Sequence, residues 1–202
     1  MVRGWLGGYQ FFVCSFFCLF TNNLYLCMLN VKYNEVAMDY QAIIDKYYPE
    51  SDGKLRQLLL KHSRQVADRC LLICDHHPEL HIDREFVEEA AMLHDIGIRW
   101  CNAPTIHCHG TEPYIRHGQI GGELLRREGW ERHARVSERH TGTGLPGLEP
   151  EELEEKLVCY ADKFYSKSRP DRVLTVVEAA QSLEKFGHEG VEKFLGWAKL
   201  FE

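Results

Sequence analysis

A histidine and an aspartate stand side by side at positions 94 and 95, where the apolar run Ala90-Ala91-Met92-Leu93 stops, and Gly97 follows two residues later. Val87, Ala90, Ala91 and His94 fall on one helical face, so the imidazole points where core side chains point. An imidazole nitrogen and an adjacent carboxylate at a helix end can both reach one cation. Gly97 can supply the left-handed turn that closes such a helix. A lone pair of this kind is more often a satisfied core histidine beside a capping aspartate, so its meaning depends on the rest of the chain.

Further polar residues occupy apolar faces. His62 comes four after Leu58, three after Leu59 and four before Val66; His117 precedes Ile120, Gly121 and Leu124. His140 comes four after Val136, just before a glycine-rich loop, and Asp162 lies four after Val158 and three before Tyr165. Five successive helical segments thus each offer an inward-facing donor. Facing helices of a bundle project such groups into one space, where a metal can be held.

The elements that must position these donors read as helical nearly throughout. Helices are expected over 39–48, from a cap at Ser51 or Asp52 to about 75, from a cap at Asp83 through the His-Asp pair, over 113–128 and 131–140, over 151–167, over 172–186 and over 190–201. No strand alternation of useful length, internal repeat or low-complexity tract interrupts them. The fold class is all-α. At 202 residues and 45% hydrophobic content, the chain has enough material for one sizeable core.

A formal charge of −6 provides no basic footprint for nucleic acid. Three of the eight cysteines lie in the first 37 residues and no Cys-x-x-Cys pair occurs, so a disulfide scaffold is not expected and the folded part suits a reducing compartment, the cytoplasm. Residues 1–37 differ from the remainder: between Arg3 and Lys32 there is no charged side chain. This apolar leader is read as an upstream extension before a start at Met38, with 38–202 as the folded domain. The competing reading is a signal peptide or a membrane anchor through residues 4–31.

The ordered set His62, His94-Asp95, His117, His140, Asp162, with the local strings His94-Asp95-Ile96-Gly97, His117-Gly118 and Ala161-Asp162-Lys163, resembles the HD superfamily of metal-dependent phosphohydrolases in its HDIG subgroup. The likeness covers roughly residues 62–167. It implies an HD-type helical bundle with the metal site in its core. His62, His94, Asp95 and Asp162 would hold one cation, and His117 and His140 would help hold a second, bridged to the first by Asp95. Imidazole and carboxylate donors suit iron, manganese, cobalt or nickel more than calcium. Two such ions about 3.5 to 4 Å apart lower the pKa of a bridging water and offset charge on a phosphoryl group. The implied activity is hydrolysis of a phosphate ester or anhydride of a nucleotide or other small phosphorylated metabolite.

Around these donors, Lys163 is expected to bind substrate phosphate or neutralise Asp162, and Arg116, Arg139 and Thr141 are expected on the substrate side. Thr141-Gly142-Thr143-Gly144 would form a loop at the mouth. The family pattern often has a lysine or histidine directly after His-Asp-x-Gly; here Ile98 and Arg99 stand there, so Arg99 is the candidate for that catalytic role beside Asp95 and Lys163. Thr141 and Gly142, where cyclic-dinucleotide phosphodiesterases carry His-Glu, disfavour that activity. The same context is similar to HD enzymes that cleave diadenosine tetraphosphate symmetrically, which is the alternative substrate.

The loop 101–112 holds Cys101, His107, Cys108 and His109, read as a substrate-side cover rather than an accessory zinc site. Phe186, Phe194, Trp197 and Phe201 read as core or as a homodimer face. A regulatory module that binds metal and nucleotide without turnover is the competing class of function. It is disfavoured because each unpaired polar group buried in a core costs about 1 to 3 kcal/mol.

Overall fold

Helices make up most of what the computed structural model describes, residues 2–6, 9–13, 38–142 and 147–202. Val2–Leu6 (β1) and Tyr9–Val13 (β2) pair antiparallel with Val2 opposite Val13, within a unit of their own, residues 1–36. Most of the apolar leader, residues 14–37, and Thr143-Gly144 of the proposed mouth loop lie outside the described residues. Among the described residues, no helix is long and apolar enough to cross a membrane.

The second unit, residues 37–202, holds eight α-helices among its described residues. Asp39 accepts from the Ala42 backbone N–H (2.9 Å) and opens α1 (Tyr40–Tyr47). The long α2 (Lys54–His76) buries Leu55, Leu59, His62, Ser63, Val66, Ala67, Cys70 and Ile73, a stripe at helical spacing. Asp83 caps α3 (Arg84–Leu93), which packs Val87, Ala90, Ala91 and Leu93 against that stripe. Next come α4 (His117–Arg127), α5 (Glu131–Arg139) and α6 (Leu153–Asp162), the last opened by a reciprocal Glu152–Glu155 capping box. Finally, α7 (Val176–Leu183) and α8 (His188–Phe201) bring Phe194 and Phe201 against Tyr160 of α6. These two rings are core, whereas Phe186 is exposed.

Four local expectations change. Gly53, not Ser51 or Asp52, stands at the head of α2, because residues 50–52 form a 3-10 turn and Asp52 is paired with Arg99. Helix α6 ends at Asp162 rather than at 167. Tyr165–Ser166 (β5) and Arg169–Val173 (β6) form an antiparallel pair in its place, and α7 starts later than expected. Pro170 cannot continue a helix, and the largely exposed strand carries no apolar alternation to announce it. Within the loop 101–112, Asn102–Ala103 (β3) pairs with Cys108–His109 (β4). Gly97 lies at φ −85°, ψ −6°, in the right-handed region, so the left-handed turn is not made and another property of glycine is in use there.

His133 sits between α5 and α3, its Nε2–H donating to Glu89 Oε2 (3.0 Å) while its ring packs edge-on to Phe86 and Trp130. Burial, helped by the charge of Arg132, pushes its pKa down to about 4. The fold thus favours the neutral ring. Its contribution is full above pH 6.5 and shrinks as pH falls towards 4, where the unfolded chain takes up a proton and the folded one does not. The whole interval is worth on the order of 3 kcal/mol. Urea melts at pH 7 and pH 5 should show wild type losing about 2 kcal/mol more than His133→Gln over this range; equal losses would contradict it.

Candidate metal centre

The last carbonyls of a helix have no intrahelical partner, and two histidines use carbonyls of this kind to fix their rings, while a third uses a carbonyl in a 3-10 turn. His94, capping the end of α3, donates Nδ1–H to Ala91 O (2.6 Å). His140 does the same to Ser137 O (2.6 Å) at the end of α5. His117, where a 3-10 turn runs into α4, donates to Tyr114 O (2.5 Å). With Nδ1–H spent in this way, each ring turns Nε2 inward, and in the neutral state that atom is a bare lone pair, the tautomer a metal ligand needs.

Those lone pairs converge on Asp95. Its Oδ2 lies 3.2 Å from His62 Nε2 and 3.3 Å from His94 Nε2, and its Oδ1 lies 3.4 Å from both His117 Nε2 and His140 Nε2. Asp162 Oδ1 completes the first group at 2.9 Å from His62 Nε2 and 3.6 Å from His94 Nε2. Two donor sets result, His62-His94-Asp95-Asp162 and Asp95-His117-His140, the atoms within each lying no more than 4.8 Å apart. One carboxylate belongs to both.

The residues present fit a cation. Ligands about 2.1 Å from one ion stand about 3.0 to 3.5 Å from each other in octahedral or tetrahedral arrangement, the range of the contacts above. His117 Nε2 and His140 Nε2 face each other at 2.9 Å although both Nδ1 atoms are spent as donors, and two lone pairs at that distance repel unless positive charge lies between them. His94 Nε2 and Asp95 Oδ1 are buried without a hydrogen bond, a cost that a cation relieves.

Charge is arranged accordingly. Burial and the His140 ring push the His117 pKa down to about 3, and burial also lowers that of His140, so both remain neutral donors. Burial opposes charge on His94, but Asp95 and Asp162 overcome it and raise its pKa to about 9. Burial also works against the two carboxylates, yet Lys167 and His94 hold Asp95, and Lys163 and Lys167 hold Asp162, well below the usual carboxylate range.

Several residues that spacing alone did not single out set this geometry. Ser137 Oγ, buried in α5, lies 2.7 Å from His94 O and 3.3 Å from Gly118 O, tying together the three helices that carry His94, His117 and His140. Tyr48, fully buried at the end of α1, donates its hydroxyl to Ile96 O (2.8 Å) and accepts from the Arg99 backbone N–H (3.0 Å), which pins the turn after Asp95. Gly97 lets that turn approach α4: a Cβ there would lie 2.6 Å from Gly121 N and closer still to His117 O. Lys167, at the β5–β6 turn, places its ammonium 2.6 Å from Asp95 Oδ2. Only Gly97 and its place in the His-Asp-x-Gly string offered a sequence signal.

The other expected site residues fall in different places. Lys163 donates to His140 O and to Asp162 Oδ2, both at 2.9 Å, and so bridges the ends of α5 and α6. Arg99 turns away from the centre to Asp52 and to the Tyr47 carbonyl (2.7 Å), in a cleft of about 310 Å³ shared with His107 and His109. Arg116 is paired with Glu112 (2.6 Å), and Arg139 with Glu151 (3.1 Å) and the Glu149 carbonyl (2.5 Å). Thr141 is half-buried directly after His140. In β4, Cys108 is buried and its neighbour His109 exposed, as alternation along a strand requires, so the four residues of that loop do not converge as a zinc set. Cys70, Cys74, Cys101, Cys108 and Cys159 are free thiols.

Comparison with known proteins places the chain in a family. A tRNA (cytidine(56)-2'-O)-methyltransferase of Picrophilus torridus is 28% identical over 181 residues, covering 79% of this chain and 47% of that protein. The chain therefore spans about half the length of the curated relative it matches. No solved structure matches. The family model described as HD domain matches residues 59–166, more than half of the chain and a stretch enclosing all six converging donors. The chain belongs to the HD domain family.

Proposed function

We propose that this protein is a metal-dependent phosphohydrolase, cleaving a phosphate ester or anhydride of a nucleotide or another small phosphorylated metabolite. The observation that carries the reading is Asp95, one buried carboxylate whose two oxygens serve two adjoining donor sets. His62, His94, Asp95 and Asp162 would hold one ion, and Asp95, His117 and His140 the other, with iron, manganese, cobalt or nickel suited to such donors. When bound, two divalent ions supply Lewis acidity that activates water and offsets negative charge on a phosphoryl group.

The chain's own residues prepare the place for that chemistry. The carbonyls of Ala91, Tyr114 and Ser137 fix the His94, His117 and His140 rings, and burial keeps His117 and His140 neutral, so no proton has to leave these two before a cation is bound. The charges of Asp95 and Asp162 are balanced by Lys163 and Lys167, so any cation adds net positive charge within a chain that is −6 overall. Such a centre favours a compact, multiply charged anion and gives no footprint for a long polyanion. Methylation of a ribose hydroxyl has no use for six converging cation donors, and the shared stretch is under half of the methyltransferase relative. Neither methyl transfer nor tRNA is therefore carried over.

Purified protein supplied with manganese or ferrous iron is to be assayed against phosphomonoesters, nucleotides, diadenosine tetraphosphate and a tRNA transcript. Release of phosphate or nucleotide from a small substrate, abolished by chelator, is the expected result. Two nucleoside diphosphates from diadenosine tetraphosphate would select the symmetrical hydrolase. Nucleotide binding with no turnover across the panel would overturn the proposal in favour of a regulatory module.

A further inference from the structure

We infer that Lys167 is the phosphate-binding cation of the centre, the group that contacts the non-bridging oxygens of the substrate's phosphoryl group. The inference rests on the phosphohydrolase reading and adds a specific residue to it. A phosphate held by metal ions also requires fixed hydrogen-bond donors for its remaining oxygens. The basic residues around this centre differ in how far they are already engaged. Arg99, Arg116 and Arg139 are turned to Asp52, Glu112 and Glu151, respectively. The Lys163 ammonium holds the His140 carbonyl and Asp162, a structural link between two donor-bearing helices that a substrate would have to break.

Lys167 is placed differently. It extends from the turn between β5 and β6 at the surface, and its side chain is largely covered, yet its ammonium reaches the bridging carboxylate directly, 2.6 Å from Asp95 Oδ2 and 4.0 Å from Asp162 Oδ1. Its long aliphatic stem lets the charged head shift by an ångström or two without moving the backbone, and an ammonium has three donors to distribute. Of the basic residues named, it is the one that both lies against Asp95 and springs from a segment outside the donor helices.

The test uses full-length protein loaded with manganese, with inorganic phosphate as the ligand, and compares wild type, Lys167→Met and Lys167→Arg. Methionine keeps the stem and removes the charge. Loss of one charge-assisted contact should weaken phosphate binding about 10- to 100-fold in the methionine variant, with arginine recovering part of it. Manganese content and melting temperature should stay near wild type. If wild type binds phosphate and Lys167→Met binds it equally well, the inference fails and the phosphohydrolase reading stands. A methionine variant that loses manganese as well also overturns it, since Lys167 would then be holding the donor set together. If the loaded wild type neither binds phosphate nor hydrolyses any phosphate compound, the functional reading itself fails.

Discussion

Asp95→Asn protein is expected to lose both cations and all measurable turnover, while His140→Ala keeps about one ion per chain. The contrast follows from the sharing of a single carboxylate. Asp95 Oδ2 belongs to the group with His62, His94 and Asp162, and Oδ1 to the group with His117 and His140, so neutralising this residue removes the anionic donor common to both. His140 stands in the second group alone. We expect Asp95→Asn to weaken ion binding by at least about 100-fold and to lower turnover by about 1000-fold or more, a rise in the barrier of about 4 kcal/mol. Elemental analysis of dialysed protein and phosphate release measure the two effects. Circular dichroism checks folding separately, since Lys167 has a stem long enough to carry its ammonium towards solvent once its partner is neutral. A variant that retains both ions and full turnover would show that the convergence of donors on Asp95 does not serve metal binding.

Gly97→Ala is expected to have the second large effect, through packing alone. The added methyl would press on two backbone atoms, Gly121 N at 2.6 Å and His117 O closer still, and neither can rotate away as a side-chain tip would. Either the turn after Asp95 or the start of α4 must move. Overpacking of this kind costs about 1 to 3 kcal/mol, occasionally more, and here the upper end applies. For a chain of this size, 3 kcal/mol corresponds to a drop in melting temperature of about 6 to 12 °C. Because α4 begins at His117, the displacement should weaken the Asp95-His117-His140 set more than the first. Scanning calorimetry together with a two-site metal titration would show both. Wild-type melting and two intact sites would mean that close approach is not what position 97 requires.

This glycine also shows how far the sequence could be read. Its presence after His-Asp was visible in the string, and a helix-closing left-handed turn was the reasonable local explanation. The observed φ of −85° is open to any residue; the requirement comes from α4, twenty residues further along. The donors were easier to read. His62, His94, His117, His140 and Asp162 each lie on the apolar face of a helix, and a polar residue on such a face registers against the hydrophobic period. Lys167 did not register. Its segment reads as the tail of a helix, and the β5–β6 pair that replaces it carries no burial alternation. Ser137 and Tyr48 read as ordinary packing residues, since a hydroxyl that bridges two distant carbonyls leaves no periodic trace. Arg99 illustrates the opposite case: its position beside the motif suggested catalysis, while its guanidinium is engaged by Asp52, far back in the chain.

The order of residues by itself determined the helical class, the positions of most helices and the set of polar side chains that had to face inward. Period and capping are local properties that each stretch of chain carries within itself. Which inward atoms meet, how one carboxylate comes to face two groups of imidazoles, and which basic side chain reaches it were decided only by the tertiary structure. Those outcomes depend on close backbone approaches, helix-end carbonyls and ion pairs between residues far apart in the chain, and no local pattern specifies contacts at that range.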